Sequence, residues 1–454
     1  MQKSIKISKY IQTVCEQIRW RIAHSVISEE IENHIIDQTN AFIEKGLDKE
    51  AAIVQAIEEM GDPVLVGTEL DRTHRPKIEW SIIVLTGIAL LLGFVIRTFV
   101  IENTTAPWLL ANSIISTVLG IGFMISAYFL DFTIIGKRPK AIYFGLVILT
   151  TTLMLVSPVI NGQYSYIPFI LLLFPTAFAG LIYSMRSKGY LGIVLSGLFL
   201  AVPIFIGMVV PSFSSVGLYS FTCLILLTLA IVKGWFNVNR FISMLLVYIP
   251  SIITAIVFIL TIIMSSPYRW QRLQNALDPS LDSRGAGYIA TITRDIIKGA
   301  KLFGPGEVVL NPGIVLPELH TNSLLTYLIH EFGWISFIVI ITVILGLIVR
   351  SFMLCTMQKS ILGRLVATSV LITLTTQVAL YVAYNLGFQL FSPLTLPLIS
   401  YGGTATVINM IHIGILLSVL KSGDLVRDNI IIDERKNNLF EIVDGKIIIN
   451  LNLK

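Results

Sequence analysis

The pattern of hydrophobic and polar positions changes near residue 80. Before that point apolar residues such as Ile7 and Ile11 recur at helical spacing between polar ones, which predicts amphipathic helices. After it, apolar runs follow one another at about the 20 residues that an α-helix needs to cross a bilayer. We therefore expect a small helical domain over 1–79, a membrane domain over 80–422 and a polar tail over 423–454.

Turn signals divide the N-terminal segment into three predicted helices. Ser28 is a candidate N-cap of the second helix, because two glutamates follow it where the helix dipole favours acids. Gly46 then ends this helix and Asp48 caps the third. The third helix is expected to stop at Gly61-Asp62-Pro63.

The apolar runs predict ten spans, near 80–100, 107–130, 141–160, 166–184, 190–210, 215–233, 241–264, 321–349, 361–386 and 395–420. Basic residues follow alternate spans, at Lys137, Arg138, Lys140, Arg186, Lys188, Lys233, Arg240, Arg350, Lys359 and Arg364. This positive-inside pattern predicts that both termini are cytoplasmic. Because no apolar signal segment precedes the first span, we expect that span to direct its own insertion.

Composition supports a membrane protein over a soluble one. Only 13% of the residues are charged and 54% are hydrophobic, whereas soluble proteins carry about 25% charged residues. A net charge of +5 is too small to indicate a nucleic-acid partner. Three scattered cysteines show neither a metal-binding spacing nor a disulfide framework.

Two segments outside the spans have a recognisable pattern. The loop 265–320 is the long extracytoplasmic loop of the predicted topology, and long loops on a rigid scaffold often carry function. In the tail, Phe440–Val443 and Lys446–Ile449 flank Asp444-Gly445, which predicts a β-hairpin with a type I′ turn. The expected fold is thus an all-α polytopic membrane protein with about ten transmembrane helices and a short hairpin tail.

Polar residues gather where the long loop meets the eighth span, in Leu316-Pro317-Glu318-Leu319-His320-Thr321-Asn322 and in His330-Glu331-Phe332-Gly333. One interpretation is a polar pocket at the outer membrane face, because polar groups entering a membrane are costly unless they line a cavity or meet a partner. The other is helix capping by Thr321 or Asn322, with Glu331 in an interhelical hydrogen bond. Both stay open at this point.

The entry of the tenth span is interrupted by Pro393, Pro397 and the pair Gly402-Gly403. Broken backbone at membrane depth is tolerated only when it is buried in protein or lines a wet cavity. Asn409 and His412 follow on the same segment. We expect His412 to be a helix–helix hydrogen-bond partner rather than a ligand.

Together these segments resemble the FtsW/RodA/SpoVE family, the SEDS proteins. The resemblance covers about 80–422 and is specific in 265–422. It is carried by Leu396–Thr404, Leu316–Thr321, Glu331-Phe332-Gly333, Arg269, Arg272, Asp278-Pro279, Gly285, Gly287-Tyr288, Gly299, Gly304 and Gly306. Residues 1–79 resemble the small helical prefix domains of some bacterial permeases, which suggests a cytoplasmic regulatory or docking module.

The family resemblance implies polymerisation of lipid II into glycan strands in the bacterial cytoplasmic membrane, with a penicillin-binding transpeptidase as partner. The implied catalytic positions are Asn322, at the position of the family's acid, with His320, Glu331 and Glu318. The implied substrate-binding positions are Arg269 and Arg272, toward the pyrophosphate, and Ser400, Gly402, Gly403 and Asn409. No cofactor follows from the sequence, and a divalent cation paired with the lipid pyrophosphate stays an open alternative.

Asn322 is the main departure from the family pattern, because a neutral amide cannot accept a proton from a sugar hydroxyl. Loss of a general base typically costs about 10²–10⁴-fold in rate. Glu318 or Asp282 could supply a substitute carboxylate. The family's Gln-Pro-Ser-Glu is also replaced, by Phe174-Pro175-Thr176-Ala177, and its Arg-Trp after Asn161-Gly162 is missing. Three hypotheses follow: a glycosyltransferase, weakened or not; a non-catalytic scaffold; and a transporter of a lipid-linked precursor.

Overall fold

The chain is helical along most of its length in the computed structural model. The structure describes residues 5–20, 23–73, 78–102, 108–160, 163–210, 212–265, 270–271, 274–275, 277–285, 287–308, 316, 318–389, 394–422, 440–443 and 446–449. Short helices come first and long apolar helices follow from Trp80, as the change of pattern along the sequence predicts.

Four short helices precede the membrane helices and pack around an apolar core of their own. They are α1 (Ile5–Gln17), α2 (His24–Glu44), α3 (Lys49–Glu59) and α4 (Pro63–Thr73). Val14, Ile35, Ala52 and Ala56 are fully covered in that core. The apolar stripes of these amphipathic helices therefore face one another, as their helical spacing predicts.

The ends of these helices confirm two boundary predictions and correct two. Asp48 caps α3 by accepting a hydrogen bond from the backbone N–H of Glu50 at 3.2 Å, and Gly46, with φ of 93°, ends α2. Ser28 is not an N-cap, because α2 begins four residues earlier. Three helices were expected and a fourth exists: its first residue is Pro63, which suits a helix start because its missing N–H would be unpaired there anyway.

The apolar runs form the helices α5 (Trp80–Glu102), α6 (Trp108–Phe129), α8 (Pro139–Val156), the short α9 (Ile167–Ile170), α10 (Phe174–Met185), α11 (Gly189–Val209), α12 (Phe213–Val232), α13 (Arg240–Ser265), α16 (Trp334–Thr356), α17 (Ile361–Asn385) and α18 (Gly403–Ser422). Between them lie α7 (Thr133–Lys137), α14 (Tyr288–Lys298) and α15 (Leu324–Phe332).

In the described part of the chain, nine helical segments are long and apolar enough to cross a membrane. One of them, Ile167–Val209, has 43 residues, which at about 1.5 Å per residue is roughly twice the thickness of the hydrocarbon core. It is interrupted by the 3-10 turn Arg186–Lys188 and by Gly189, whose φ is 57°. This segment therefore crosses twice, which gives ten crossings and confirms the all-α polytopic fold.

The apolar side chains that face outward belong to lipid rather than water. Leu91, Val118, Ile148, Phe205 and Ile253 are each more than half exposed on the membrane helices. A contiguous apolar surface of this kind is unfavourable in water but favourable in the hydrocarbon core of a membrane. Crossings alternate in direction, so each loop lies either on the side of the N-terminal helices, here called the near face, or on the opposite far face.

The eighth predicted span, 321–349, is wrong at its start. Residues Leu324–Phe332 form the separate helix α15, and the crossing itself is α16. The break falls at Gly333, which has φ of 82° and lies where a Cβ atom would be 2.6 Å from the carbonyl oxygen of Leu302. Only glycine meets both conditions without strain.

The tenth predicted span, 395–420, also begins too early. Its helix starts at Gly403, and the preceding residues 394–402 form an irregular segment. Pro397 lacks the N–H that a helix interior requires, and Leu398 has φ of 66°, outside the right-handed helical region. Residues 394–400 are all buried, which confirms that this broken backbone is enclosed by protein.

Two short antiparallel strand pairs complete the structure. β1 (Val159–Ile160) pairs with β2 (Gln163–Tyr164), between α8 and α9. β3 (Phe440–Val443) pairs with β4 (Lys446–Ile449), with Val443 opposite Lys446, which confirms the predicted tail strands. The two turn residues 444–445 lie outside the described residues, so the turn type stays a prediction.

Helix α5 packs closely on the irregular segment 394–402 at Gly93. A Cβ atom there would lie 2.5 Å from the carbonyl oxygen of Leu398 and 2.8 Å from the Cα atom of Ile399. These are backbone atoms, so no side-chain rotation relieves the clash. Gly87 lies on the same helix with no atom within 4 Å of its position for a Cβ.

We expect Gly93→Ala to lower the thermal unfolding temperature of the purified protein, because overpacking typically costs about 1–3 kcal/mol. Gly87→Ala is the matched control and should be neutral or slightly stabilising, because alanine is the better helix former. Equal unfolding temperatures for the two variants would contradict the close packing of α5 on segment 394–402.

Candidate active site

A tight turn on the far face, residues 318–323, leads into α15. Glu318 begins it with φ of 52°. Its carbonyl oxygen accepts hydrogen bonds from the backbone N–H groups of Thr321 at 3.1 Å and Ser323 at 3.2 Å. The turn therefore has one defined backbone shape before any side chain is considered.

Three predicted site residues, Glu318, His320 and Asn322, lie together in this turn. The Glu318 carboxylate oxygen Oε2 accepts a hydrogen bond from the Thr321 hydroxyl at 3.1 Å and another from the Asn322 amide Nδ2. Glu318 is exposed and Asn322 is half-buried. The Asn322 amide thus holds a neighbouring carboxylate that faces solvent.

This geometry contradicts the capping alternative for Thr321 and Asn322. The N-cap position of α15 is Ser323, which makes no side-chain capping bond. Both alternative caps use their side chains on Glu318 instead. The polar residues of the turn are therefore directed at one another rather than at the helix end.

A stripe of polar residues on α17 holds the backbone of the turn. The stripe consists of Thr373, Gln377, Tyr381 and Asn385, which are spaced four residues apart and fully buried. The Tyr381 hydroxyl donates to the carbonyl oxygen of Thr321 at 2.9 Å. Asn385 Nδ2 donates to the carbonyl oxygen of Asn322 at 2.9 Å, and its Oδ1 accepts from the Thr326 N–H at 3.0 Å. Each contact holds main chain, so the turn is positioned independently of its own side chains.

The same stripe also holds the irregular segment 394–402. Gln377 Nε2 donates to the carbonyl oxygen of Thr395 at 2.8 Å. The backbone N–H of Tyr401 in turn donates to the carbonyl oxygen of His320 at 2.9 Å. The two family-like motifs are therefore joined directly and through α17.

The side chain of His320 contacts the irregular segment. Its ring meets the Tyr401 ring edge-on at a centroid distance of 5.8 Å. Burial lowers the pKa of His320 below its usual value, and the nearby Glu318 carboxylate opposes that shift. The Nδ1 atom is buried without a hydrogen-bond partner among the described residues. A neutral imidazole can therefore offer this atom to a ligand or a water molecule.

The predicted substrate-binding positions of the tenth span are mostly enclosed. Ser400 is buried and its hydroxyl donates to the carbonyl oxygen of Leu396 at 3.2 Å. Gly402 and Gly403 are partly covered and pack against Thr395 and Ser116. Ser400 therefore has a local backbone role in this conformation, whereas the glycines allow close packing beside the turn.

Two polar residues lie deeper on α18. Asn409 is fully buried, and neither atom of its amide has a partner among the described residues. His412 Nε2 lies 3.1 Å from the carbonyl oxygen of Leu172. This contact between different helical elements confirms the prediction that His412 is a helix–helix partner.

Glu331 lies at the other end of α15 from the turn and not within a membrane-crossing helix, which corrects its predicted place in span eight. Its Oε1 lies 3.0 Å from Nδ1 of His330, whose Nε2 is 2.7 Å from the carbonyl oxygen of Val308. The partner of Glu331 is its chain neighbour, so the predicted interhelical hydrogen bond is wrong for this contact. The pair instead joins α15 to the loop after α14.

That loop closes both helix ends at the α15–α16 break. Gly304 and Gly306 donate their N–H groups to the carbonyl oxygens of Phe332 and His330, at 3.2 and 2.8 Å. In return the N–H of Trp334 donates to the carbonyl oxygen of Lys301 at 3.0 Å. Helix ends leave such groups unpaired, so the glycine-containing loop keeps the break stable.

Other predicted residues fall outside this cluster or outside the described chain. The exposed Asp282 accepts a hydrogen bond from the Gly285 N–H at 3.0 Å and shapes its own turn. Arg269 and Arg272 lie outside the described residues. Glu318 is therefore the substitute carboxylate that the described structure brings against Asn322.

Several buried polar atoms around the turn and segment 394–402 have no partner in the described structure, namely His320 Nδ1, Ser323 Oγ, Gln377 Oε1 and Thr395 Oγ1. Each unpaired buried group costs about 1–3 kcal/mol, and such groups usually bind water or a ligand. No group of three potential metal ligands occurs among the described residues. The arrangement suits binding of a polar ligand beside a carboxylate.

Arg97 is a buried cation that the sequence interpretation missed. It lies one helical turn beyond Gly93 on α5, is 2% exposed, and donates from Nε to the Gly93 carbonyl at 3.0 Å. Its Nη2 atom has no hydrogen-bond partner among the described residues. A buried cation without a paired anion is costly. Two features of the sequence could have revealed these residues. One is the arginine inside an apolar span, and the other is the spacing of four residues between the polar side chains of the α17 stripe.

These features define a polytopic helical membrane protein with a polar site at its far face. The family model described as "Cell cycle protein", FtsW/RodA/SpoVE, matches residues 76–424. This match covers more than half of the chain, so the chain belongs to the FtsW/RodA/SpoVE family.

Individual relatives are similar over part of their length. A "Probable peptidoglycan glycosyltransferase FtsW" of Idiomarina loihiensis is 28% identical over 219 residues, 46% of this chain and 49% of the relative. "Peptidoglycan glycosyltransferase MrdB" of Escherichia coli K12 is 28% identical over 170 residues, 37% of this chain and 46% of the relative. The chain thus spans about half the length of the curated relatives it matches.

A solved structure shares the fold. It is described as "Structural coordination of polymerization and crosslinking by a peptidoglycan synthase complex", and it matches with a TM-score of 0.62 and 19% identity. The match covers 77% of this chain and 99% of the other. At this identity the likeness supports the arrangement of helices alone.

We expect Tyr381→Phe to speed amide hydrogen exchange in residues 318–323, because the lost hydroxyl holds the Thr321 carbonyl. Hydrogen bonds between membrane helices contribute about 0.6–1.7 kcal/mol, so the change should be about threefold to twentyfold. Tyr128→Phe on α6 removes a hydroxyl elsewhere in the bundle and should leave this exchange unchanged. Unaltered exchange in Tyr381→Phe would show that the polar stripe does not position the turn.

Proposed function

We propose that the protein is a peptidoglycan glycosyltransferase that extends glycan strands from lipid II. The carrying observation is the solvent-facing Glu318 carboxylate, held by the amide at the position of the family's acid. Membership of the family supports the reaction class, and the relatives' names support the substrate class.

In the proposed reaction Glu318 is the general base. It takes the proton of the acceptor sugar hydroxyl as that oxygen attacks the anomeric carbon of the donor. The bond between this carbon and the lipid pyrophosphate breaks, and the pyrophosphate leaves with the bonding electron pair. A carboxylate in hydrogen-bond reach of the hydroxyl can contribute about 10²–10⁴-fold to such a step.

Asn322 and Thr321 are positioning residues in this proposal. Both donate to Glu318 Oε2, which leaves the second carboxylate oxygen for the substrate. An aspartate at position 322 would place two carboxylates together, and such pairs hold a proton because both cannot easily ionise. Asn322 instead donates a hydrogen bond to the neighbouring carboxylate, and the departure from the family pattern is compatible with activity.

Arginine side chains and the neutral imidazole of His320 supply the remaining proposed contacts with the substrate. Arg97 pairs with the pyrophosphate, because its buried Nη2 atom has no hydrogen-bond partner among the described residues and Gly93, one turn earlier on α5, packs against segment 394–402. Arg269 and Arg272 remain proposed pyrophosphate contacts on sequence grounds. His320 offers Nδ1 to the substrate, and Glu331 supports the site by keeping α15 joined to its loop.

The cellular setting is also part of the proposal. We place both termini in the cytoplasm and the site outside, in agreement with the distribution of basic residues. A penicillin-binding transpeptidase would cross-link the product, and residues 1–79 would act as a regulatory or docking domain. The division, elongation or sporulation process is left open.

The activity test is glycan-strand synthesis from labelled lipid II by the purified full chain. We expect the native protein to be active and Glu318→Gln to lose about 10²–10⁴-fold, because the amide cannot accept the proton. Glu307→Gln removes a carboxylate from an exposed position of the same loop region and should retain full activity.

Silence of the native protein, beside an active family member in the same assay, would contradict the proposal. It would favour the scaffold, the second candidate, which is supported by the amide at position 322. Equal losses in Glu318→Gln and Glu307→Gln would show that Glu318 has no special role.

The role of Arg97 makes a separate prediction with two readouts. Arg97→Gln should lower kcat/KM for lipid II by about tenfold or more, because hydrogen bonds to charged groups contribute about 1.5–3 kcal/mol. Without substrate the same variant should not unfold at a lower temperature, because it removes a buried charge that has no ion pair within the described part of the chain. Arg350→Gln, at the near-face end of α16, is the control that should keep full activity. A less stable Arg97→Gln with normal activity would give Arg97 a structural role only.

A further inference from the structure

A second polar site lies on the near face, away from the candidate active site. Lys137, Arg138, Lys140 and Lys188 line a pocket of about 340 Å³ between the start of α8 and the end of α10, together with Pro139 and Ser184. This set is called the basic pocket. The proposed glycosyl transfer does not use it.

Charge at the basic pocket is strongly unbalanced. Asp131 is the acid that the described structure brings to it, at 3.9 Å from Lys137, and this carboxylate also accepts from the Thr133 N–H at 3.0 Å. The three other pocket cations have no ion pair within the described residues. Cations near a membrane surface contribute about 1 kcal/mol each to binding anionic lipid.

The N-terminus of α8 opens into the same pocket. Arg138 occupies its N-cap position and makes no side-chain capping bond. The N–H groups of Lys140 and Ala141 belong to the first turn, which lacks helical acceptors. Helix N-termini favour anions, so cations grouped here are unfavourable until an anion binds. The site therefore has the donors, the dipole and the charge that an anion requires.

An apolar face of α8 continues from the basic pocket into the membrane. Ala141, Phe144, Ile148 and Leu155 follow one another at helical spacing and are all exposed. This continuous surface favours an amphiphile over a soluble phosphate as the ligand, because only an amphiphile would cover both the charged pocket and the apolar face. The position of the pocket relative to the membrane also fits a lipid headgroup, because the pocket lies at the ends of membrane helices.

We propose that the basic pocket binds the phosphate headgroup of an anionic phospholipid from the near-face leaflet. One acyl chain lies along Phe144 and Ile148. The headgroup oxygens accept hydrogen bonds from Lys140, Lys188 and the first-turn N–H groups of α8. Bound lipid thereby ties α8 to α10.

The test uses the full chain in nanodiscs of phosphatidylcholine with phosphatidylglycerol. Native mass spectrometry would measure the phosphatidylglycerol retained by the native protein, by Lys140→Gln/Lys188→Gln, and by Lys233→Gln/Arg240→Gln. The last pair removes the same charge from the same membrane face outside the pocket. We expect roughly tenfold weaker retention in the pocket variant alone.

Thermal unfolding measurements show whether a variant that retains less lipid is also misfolded. In phosphatidylcholine alone the three proteins should unfold alike, and phosphatidylglycerol should then raise the unfolding temperature of the native and control proteins more than that of the pocket variant. Equal loss of retained lipid in both double variants would overturn the proposal, because general surface charge would explain it. Displacement of the lipid by soluble glycerol phosphate would overturn it in favour of a soluble anion.

Discussion

The site depends on one set of interactions, which is the hydrogen bonds that the buried polar stripe of α17 donates and accepts inside an apolar bundle. Unpaired polar groups are expensive there, and the stripe pairs with main chain from two separate segments. Tyr381 and Asn385 hold the turn 318–323, while Gln377 holds segment 394–402. Two stretches about 75 residues apart in sequence are thereby brought into contact, as the bond between Tyr401 and His320 shows.

The sequence was sufficient for the number of crossings, three of the four N-terminal helices and the tail strands, because hydrophobic length and period determine these features locally. It placed two helix starts wrongly, because the breaks at Gly333 and in segment 394–402 depend on the left-handed φ angles of Gly333 and Leu398. Proline and glycine were visible at these places, but the residue at which the chain leaves the helix depends on tertiary packing.

The site was partly predictable for the same reason. Motif spacing identified Glu318, His320 and Asn322, but not the contact in which the Asn322 amide holds the Glu318 carboxylate. It could neither pair α17 with the turn nor show that the buried Nη2 atom of Arg97 lacks a hydrogen-bond partner among the described residues. These relations join residues far apart in the chain, and a single sequence carries no direct record of them. The amide at position 322, taken alone, suggests an inactive site. Its contact with the Glu318 carboxylate suggests instead that residue 318 is the general base.

Exchange of the two side chains tests the assignment of Glu318 as the general base most directly. The measurement is the rate of glycan synthesis from lipid II by the double variant Glu318→Gln/Asn322→Asp, compared with Glu318→Gln alone. The pair keeps one amide and one carboxylate but reverses their positions. If the turn needs one carboxylate beside an amide donor, the double variant should regain much of the activity lost in the single variant. A double variant as inactive as Glu318→Gln would contradict this account of the site.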